Sequence, residues 1–74
     1  MNSKHLTLDV FCERLIDEIR EIFPGIYIQK ADLMFTHMKM AQVYYDEAII
    51  ANKGLVTEDV LINAVMREVG YLEQ

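Results

Sequence analysis

The sequence has few of the residues that hold a small chain together covalently or through a metal. Cys12 is the only cysteine, so no disulfide can form within the chain, and there are only two histidines. No Cys/His cluster with metal-ligand spacing follows from so few residues, and we expect neither a metal nor another cofactor. Apolar packing must therefore hold the 74 residues together, and we expect them to form one helical domain over 1–74.

Positive charge is also scarce. Seven lysines and arginines stand singly among twelve acidic residues, which gives a formal net charge of −5. Phosphate backbones and anionic lipid surfaces attract clustered basic side chains, and this chain has no such cluster. We therefore expect no direct binding to nucleic acid and none to a membrane surface.

Long hydrophobic runs are missing as well. Stretches such as AIIA at 48–51 fall far short of the roughly 20 apolar residues that span a bilayer. The opening MNSKHLTLDV lacks the apolar segment of a secretory signal. A single unpaired cysteine is typical of a reducing compartment, so these features together predict a cytoplasmic protein.

Apolar residues are abundant, and their spacing is helical. They recur at i, i+3 and i+4 in three segments, which predicts helices over about 8–23, 30–51 and 58–69. Thr7 and Thr57 precede two of these helices as candidate N-caps, and Gly70 is expected to end the last one. Short connections favour an all-α, up-down-up three-helix bundle, with an irregular arrangement of crossing helices as the alternative.

Two details of this prediction concern the chain around the long helix. IYIQ at 26–29 is β-prone, but no second strand exists to pair with it, so we expect an extended connector. The apolar residues of the long helix cover about half of its circumference, and we expect Met34 and Met38 to pack inward.

Three apolar residues lie on the polar side of the long helix. Phe35, Val43 and Ile50 are spaced eight and seven apart, among charged residues such as Lys39 and Asp46. The chain has 53% hydrophobic residues without counting glycine. Typical domains have roughly 45–50% even when glycine is counted, so this chain is unusually apolar. This line therefore predicts a seam for a homodimer or a protein partner. The alternatives are burial within the bundle or ordinary single exposed residues.

Carboxylates recur every four residues on the first helix. This acidic ridge consists of Asp9, Glu13, Asp17 and Glu21. Like charges at this spacing repel weakly, so the ridge is either a plain solvated face or a surface that binds a basic protein. Arg14 and Arg20 flank the ridge and are expected to neutralise part of it. The alternative function is thus an acidic decoy or regulator.

Nothing in the sequence predicts an enzyme. It has no glycine-rich phosphate loop, no nucleophile elbow and no Glu-x-x-His pair, and Cys12 lies within an apolar stripe without a defined histidine partner. A ligand carrier would need a pocket that closes around His37 and Tyr44, and we expect no small-molecule substrate. The residues favour a non-enzymatic, helical protein–protein interaction module.

The layout after the first helix also resembles a known family. The matching features are Phe23-Pro24, AQVYYDEA at 41–48, Gly54, and VLINAVMREVG ending at Gly70. They resemble a family of small helical proteins of unknown function that are carried on mobile elements of Bacteroides-type bacteria. The resemblance covers about two thirds of the chain. It implies a helical fold, and it implies neither an activity nor site residues.

Overall fold

The computed structural model describes residues 4–74, and its regular secondary structure is entirely helical. Its four helices are α1 (Leu8–Ile22), α2 (Ile26–Gln29), α3 (Asp32–Ala51) and α4 (Glu58–Leu72), and no strand occurs among the described residues. The all-α class and the small helical bundle are therefore confirmed. None of these four helices combines the length and the apolarity needed to cross a bilayer.

Helix α1 is the element against which the others pack. It contacts both α3 and α4 more extensively than these two contact each other. Phe11, Leu15 and Ile19 follow one another at intervals of four residues and are fully buried, so they form its inner stripe. The helix begins after Thr7, whose Oγ1 accepts a hydrogen bond from the Val10 N–H at 3.4 Å.

The hydrogen bonds between segments fix the direction of the three long helices. The Leu6 N–H donates to the Val56 carbonyl at 2.7 Å, so the chain entering α1 lies beside the chain entering α4. The Tyr45 hydroxyl, in the second half of α3, donates to the Leu6 carbonyl at 2.8 Å. Helices α1 and α4 therefore start at the end of the bundle where α3 finishes, which is the up-down-up order.

The connector over 26–29 is a correction to the sequence prediction. It is the four-residue helix α2 and not an extended segment. An isolated strand would leave its backbone groups unpaired, whereas in this turn the Gln29 N–H donates to the Gly25 carbonyl at 3.1 Å. The helical turn also places Tyr27 in the core and leaves Ile28 exposed.

Helix α4 begins at Glu58 after Thr57 as predicted, but its C-terminal end and the capping by Thr57 differ from the prediction. The helix continues through Gly70 to Leu72, which packs against the core, because a glycine weakens a helix without blocking it. Thr57 makes no side-chain capping bond, and its carbonyl instead accepts from the Val60 and Leu61 N–H groups.

The methionines of α3 correct the prediction on packing. Met34 and Met38 are exposed, because the buried face of α3 is narrower than its apolar arc. That face consists of His37, Ala41, Tyr44 and Ala48.

Candidate interaction surface

The structure places the three predicted apolar residues of α3 on its outer face. Phe35 is 64% exposed, Val43 43% and Ile50 83%. At 100° per residue they lie roughly opposite the buried face, so the apolar seam of Phe35, Val43 and Ile50 points away from the bundle. The alternative that the bundle buries these residues is therefore not realised.

Charged residues alternate with the seam. Lys39 lies between Phe35 and Val43, and Asp46 lies between Val43 and Ile50; both are exposed. Across residues 4–74, neither has an opposite charge within 4 Å. The outer face of α3 thus carries apolar groups and unneutralised charges in one line.

A polar cluster lies inside the bundle, behind the seam. It consists of Tyr27, His37, Tyr44 and Glu68, which come from α2, α3 and α4. His37 is 2% exposed and Glu68 4%. The Tyr27 hydroxyl lies 2.6 Å from His37 Nδ1, and His37 Nε2 lies 3.7 Å from Glu68 Oε2. The Tyr44 hydroxyl donates to Glu68 Oε1, so the chain of contacts joins three helices.

Burial sets the protonation states of His37 and of the two tyrosines in the cluster. It lowers the pKa of His37, and the negative charge of Glu68 opposes this only in part, so the imidazole is neutral at pH 7. Burial raises the pKa of Tyr27 to about 12, and it also raises the pKa of Tyr44. A neutral ring with its hydrogen on Nε2 accepts from the Tyr27 hydroxyl and turns its N–H toward Glu68. With this tautomer, each hydrogen-bond donor in the cluster faces an acceptor on the neighbouring residue.

The polar cluster orients α3. Its hydrogen bonds are directional, and two of the bonded residues, His37 and Tyr44, lie on the inner face of that helix. No buried side-chain nitrogen or oxygen in the described part of the chain lacks a partner. The cluster therefore holds α3 at one rotation about its axis, and this rotation places the seam outside.

Sequence reasoning missed Glu68. The signal was present, because Glu68 follows Leu61 by seven residues and Val65 by three, and both lie on the inner face of α4. A glutamate at such a position indicates a buried partner. The sequence interpretation singled out His37 and Tyr44 but did not connect them to it.

The acidic ridge is exposed and less neutralised than expected. Asp9, Glu13, Asp17 and Glu21 are all exposed. Arg14 turns away from the ridge and binds Glu58 of α4 through two hydrogen bonds, at 2.6 and 2.5 Å. This contact lowers the pKa of Glu58 and raises that of Arg14. Arg20 reaches Asp17 only at 3.9 Å.

A second apolar surface, not predicted from the sequence, lies between α1 and α4. Ile22, Ile62 and Met66 are exposed beside a groove of about 370 Å³. Arg14 and Glu58 line the same groove, so its mouth is partly polar. The groove therefore combines apolar and charged groups.

The remaining chemistry of the described residues is limited. Cys12 is half-buried, and burial raises the pKa of its thiol, which keeps it protonated. Residues 4–74 contain no group of three or more His, Cys, Asp and Glu side chains placed to hold a metal ion. A shallow groove of about 220 Å³ between α3 and α4 reaches Tyr44 and Arg67, whose guanidinium lies 4.5 Å from the Tyr44 ring centre. His37 does not line this groove.

No family model, curated protein or solved structure matches the chain. The resemblance to the helical family of mobile elements stays a prediction.

Proposed function

We propose that this protein is a non-enzymatic protein–protein interaction module that docks through the apolar seam on α3. The observation that carries this proposal is the exposure of Phe35 and Ile50, at 64% and 83%, on the face opposite the core. These two residues are separated by 15 positions, which is about 22 Å along the helix axis. A monomer of this size gains nothing by keeping two such side chains in water.

The size of the seam fits a modest interface. Fully burying a Phe, Val or Ile side chain contributes about 1.5–3 kcal/mol, and association costs about 4–15 kcal/mol in lost freedom. The three residues on one partner therefore supply only part of the binding free energy. The partner must contribute comparable apolar groups, and it must match Lys39 and Asp46.

The non-enzymatic part of the proposal is supported by where the reactive groups lie. The imidazole of His37 and the carboxyl group of Glu68 are buried and bonded to other side chains. The thiol of Cys12 is held protonated at neutral pH. We also propose that the protein works in the cytoplasm, since an unpaired thiol persists in a reducing compartment.

A pair of double variants tests the proposal. Val43→Asp with Ile50→Asp places two charges on the seam, and we expect the affinity for a second copy or a partner to fall at least tenfold. Ile62→Asp with Met66→Asp is the matched control, because it adds the same charges to exposed apolar positions on α4. Light scattering behind size exclusion, partner recovery and circular dichroism give the oligomeric state, the binding and the fold.

The comparison between the two variants decides the outcome. The proposal predicts that association is lost with the first variant and kept with the second, while both remain helical. If the seam variant is folded and both its oligomeric state and its partner recovery match the wild type, the seam is not the docking surface.

One observation favours a second candidate, an acidic decoy or regulator that binds a basic protein surface through the ridge. Arg14 is bound to Glu58 and does not pair with the ridge. Within the described residues, no ion pair is made by Asp9, Glu13 or Glu21. Binding through this ridge should weaken steeply as salt rises, whereas binding through the seam should not. Replacing all four ridge residues by lysine without any effect on binding removes this candidate.

A further inference from the structure

The outer face of α3 carries charged and apolar residues in an order that would match the same face of a second copy running in the opposite direction. The exposed residues opposite the core, in chain order, are Asp32, Phe35, Lys39, Gln42, Val43, Asp46 and Ile50, and Lys53 follows the helix. When the list is counted inward from both ends, the acid Asp32 corresponds to the base Lys53. The aromatic Phe35 corresponds to the aliphatic Ile50, and the base Lys39 corresponds to the acid Asp46. The midpoint falls between Gln42 and Val43.

Pairing this face with a second copy in the antiparallel sense matches the three outer positions on each side of the midpoint, and Gln42 and Val43 meet at the centre. Phe35 of each copy lies opposite Ile50 of the other, and Lys39 lies opposite Asp46. Asp32 then lies at the same end as Lys53 of the other copy. A twofold axis through the midpoint generates both halves of the interface, as a closed symmetric dimer requires.

In a parallel pairing, each residue of the outer face of α3 would lie opposite the same residue of the other copy. Lys39 would meet Lys39, and Asp46 would meet Asp46, both at exposed positions that have no compensating charge within 4 Å in residues 4–74. Like charges across a helix seam select against a pairing, and opposite charges select for it. The order of charges therefore distinguishes the two directions.

We propose that the seam is covered by α3 of a second copy of this chain, paired antiparallel about a twofold axis between Gln42 and Val43. This rests on the proposed function, because it names the partner of the same surface. The helix has 20 residues and is about 30 Å long, so the interface is narrow. Such an interface gives a reversible dimer, and apolar contacts at Phe35, Val43 and Ile50 keep it associated at high salt.

Charge exchange between Lys39 and Asp46 tests the direction of pairing. Lys39→Glu turns two attractive pairs of the antiparallel dimer into repulsive ones, and we expect the dimer to weaken roughly tenfold at low salt. Adding Asp46→Lys restores both attractive pairs with the positions of the two charges exchanged, so the double variant should dimerise like the wild type. Lys30→Glu, an exposed charge change outside the outer face of α3, is the matched control and should have no effect.

Mixing the wild type with the double variant gives the decisive readout. In the antiparallel dimer a mixed pair sets Lys39 against the new lysine at 46, so the two proteins should form separate homodimers. In a parallel dimer the mixed pair sets opposite charges against each other, so heterodimers should dominate. Analytical ultracentrifugation with one protein labelled measures both populations.

Three results overturn the inference. These are preferential heterodimers, an unaltered dimer with Lys39→Glu at low salt, and a wild type that stays monomeric at millimolar concentration. The last result leaves the proposed function standing if a different protein still binds and is lost with Val43→Asp and Ile50→Asp. If the wild type dimerises and that double variant changes neither the dimer nor the recovery of a partner, the proposed function fails together with the inference.

Discussion

Removing the hydroxyl of Tyr44 should destabilise the fold more than removing the hydroxyl of Tyr27. Both residues are buried, and both changes, to phenylalanine, delete one oxygen from the same polar cluster. They differ in the group left without a partner. Tyr44→Phe deprives the Glu68 carboxyl group of its donor, whereas Tyr27→Phe deprives the neutral ring of His37 of a hydrogen bond at 2.6 Å.

The expected magnitudes follow from this difference. A hydrogen bond to a charged group contributes about 1.5–3 kcal/mol, and a neutral one about 0.5–1.5 kcal/mol. We expect Tyr44→Phe to lower the free energy of unfolding by about 3 kcal/mol and Tyr27→Phe by about 1.5 kcal/mol. The whole stability of a 74-residue domain is about 4–11 kcal/mol, so the first change removes a large share of it.

Urea unfolding at neutral pH, followed by circular dichroism, measures both variants. A double-mutant cycle with Glu68→Leu isolates the hydrogen bond, because Tyr44→Phe should cost little once the carboxyl group is gone. If Tyr44→Phe costs no more than Tyr27→Phe, or costs the same with and without Glu68, the hydrogen bond to Glu68 does not stabilise the fold as argued.

Three further substitutions test the titration of His37 and the two glycines at 54 and 70. Since burial lowers the pKa of His37 in the folded state, its stabilising contribution is complete above the unfolded value near 6.5, and it is lost as the pH falls from there through the folded pKa. His37→Gln should flatten that part of a stability-against-pH curve, and an unchanged curve would show that another group is responsible. Gly70→Ala should stabilise the protein by about 0.5–1 kcal/mol, because Gly70 lies within α4 and an added methyl group meets nothing within 4 Å. Gly54→Ala should instead cost about 1 kcal/mol, because φ there is +91°, and thermal melts of the two variants should shift in opposite directions.

The regular part of the fold could be predicted from the sequence because the spacing of residues within one segment determines it. Periodic apolar residues gave the three long helices, and α1 begins after Thr7 as expected. Helix geometry placed Phe35, Val43 and Ile50 on the polar side of α3, and the structure shows that this side is exposed. These inferences required only the spacing of residues along one helix.

The remainder depends on contacts between helices, which spacing does not reveal. The polar cluster joins Tyr27 to His37 over ten positions and Tyr44 to Glu68 over 24. Arg14 was assigned to neighbours on its own helix, yet it binds Glu58, which is 44 positions away. Partners of this kind become visible only when the helices are placed side by side.

The wrong prediction that two methionines of α3 pack inward shows why the polar cluster matters for the surface. Apolar residues surround much of α3, so Met34 and Met38 would fill a core as well as the small Ala41 and Ala48 do, and hydrophobicity alone does not choose the rotation of the helix. Buried polar groups contribute little stability relative to apolar side chains of the same shape, but an arrangement that leaves one of them without its partner is strongly disfavoured. On α3 these groups are His37 and Tyr44, and a rotation that buries the methionines would separate them from Tyr27 and Glu68. The outer face that a partner meets is therefore selected by polar residues that the partner never touches.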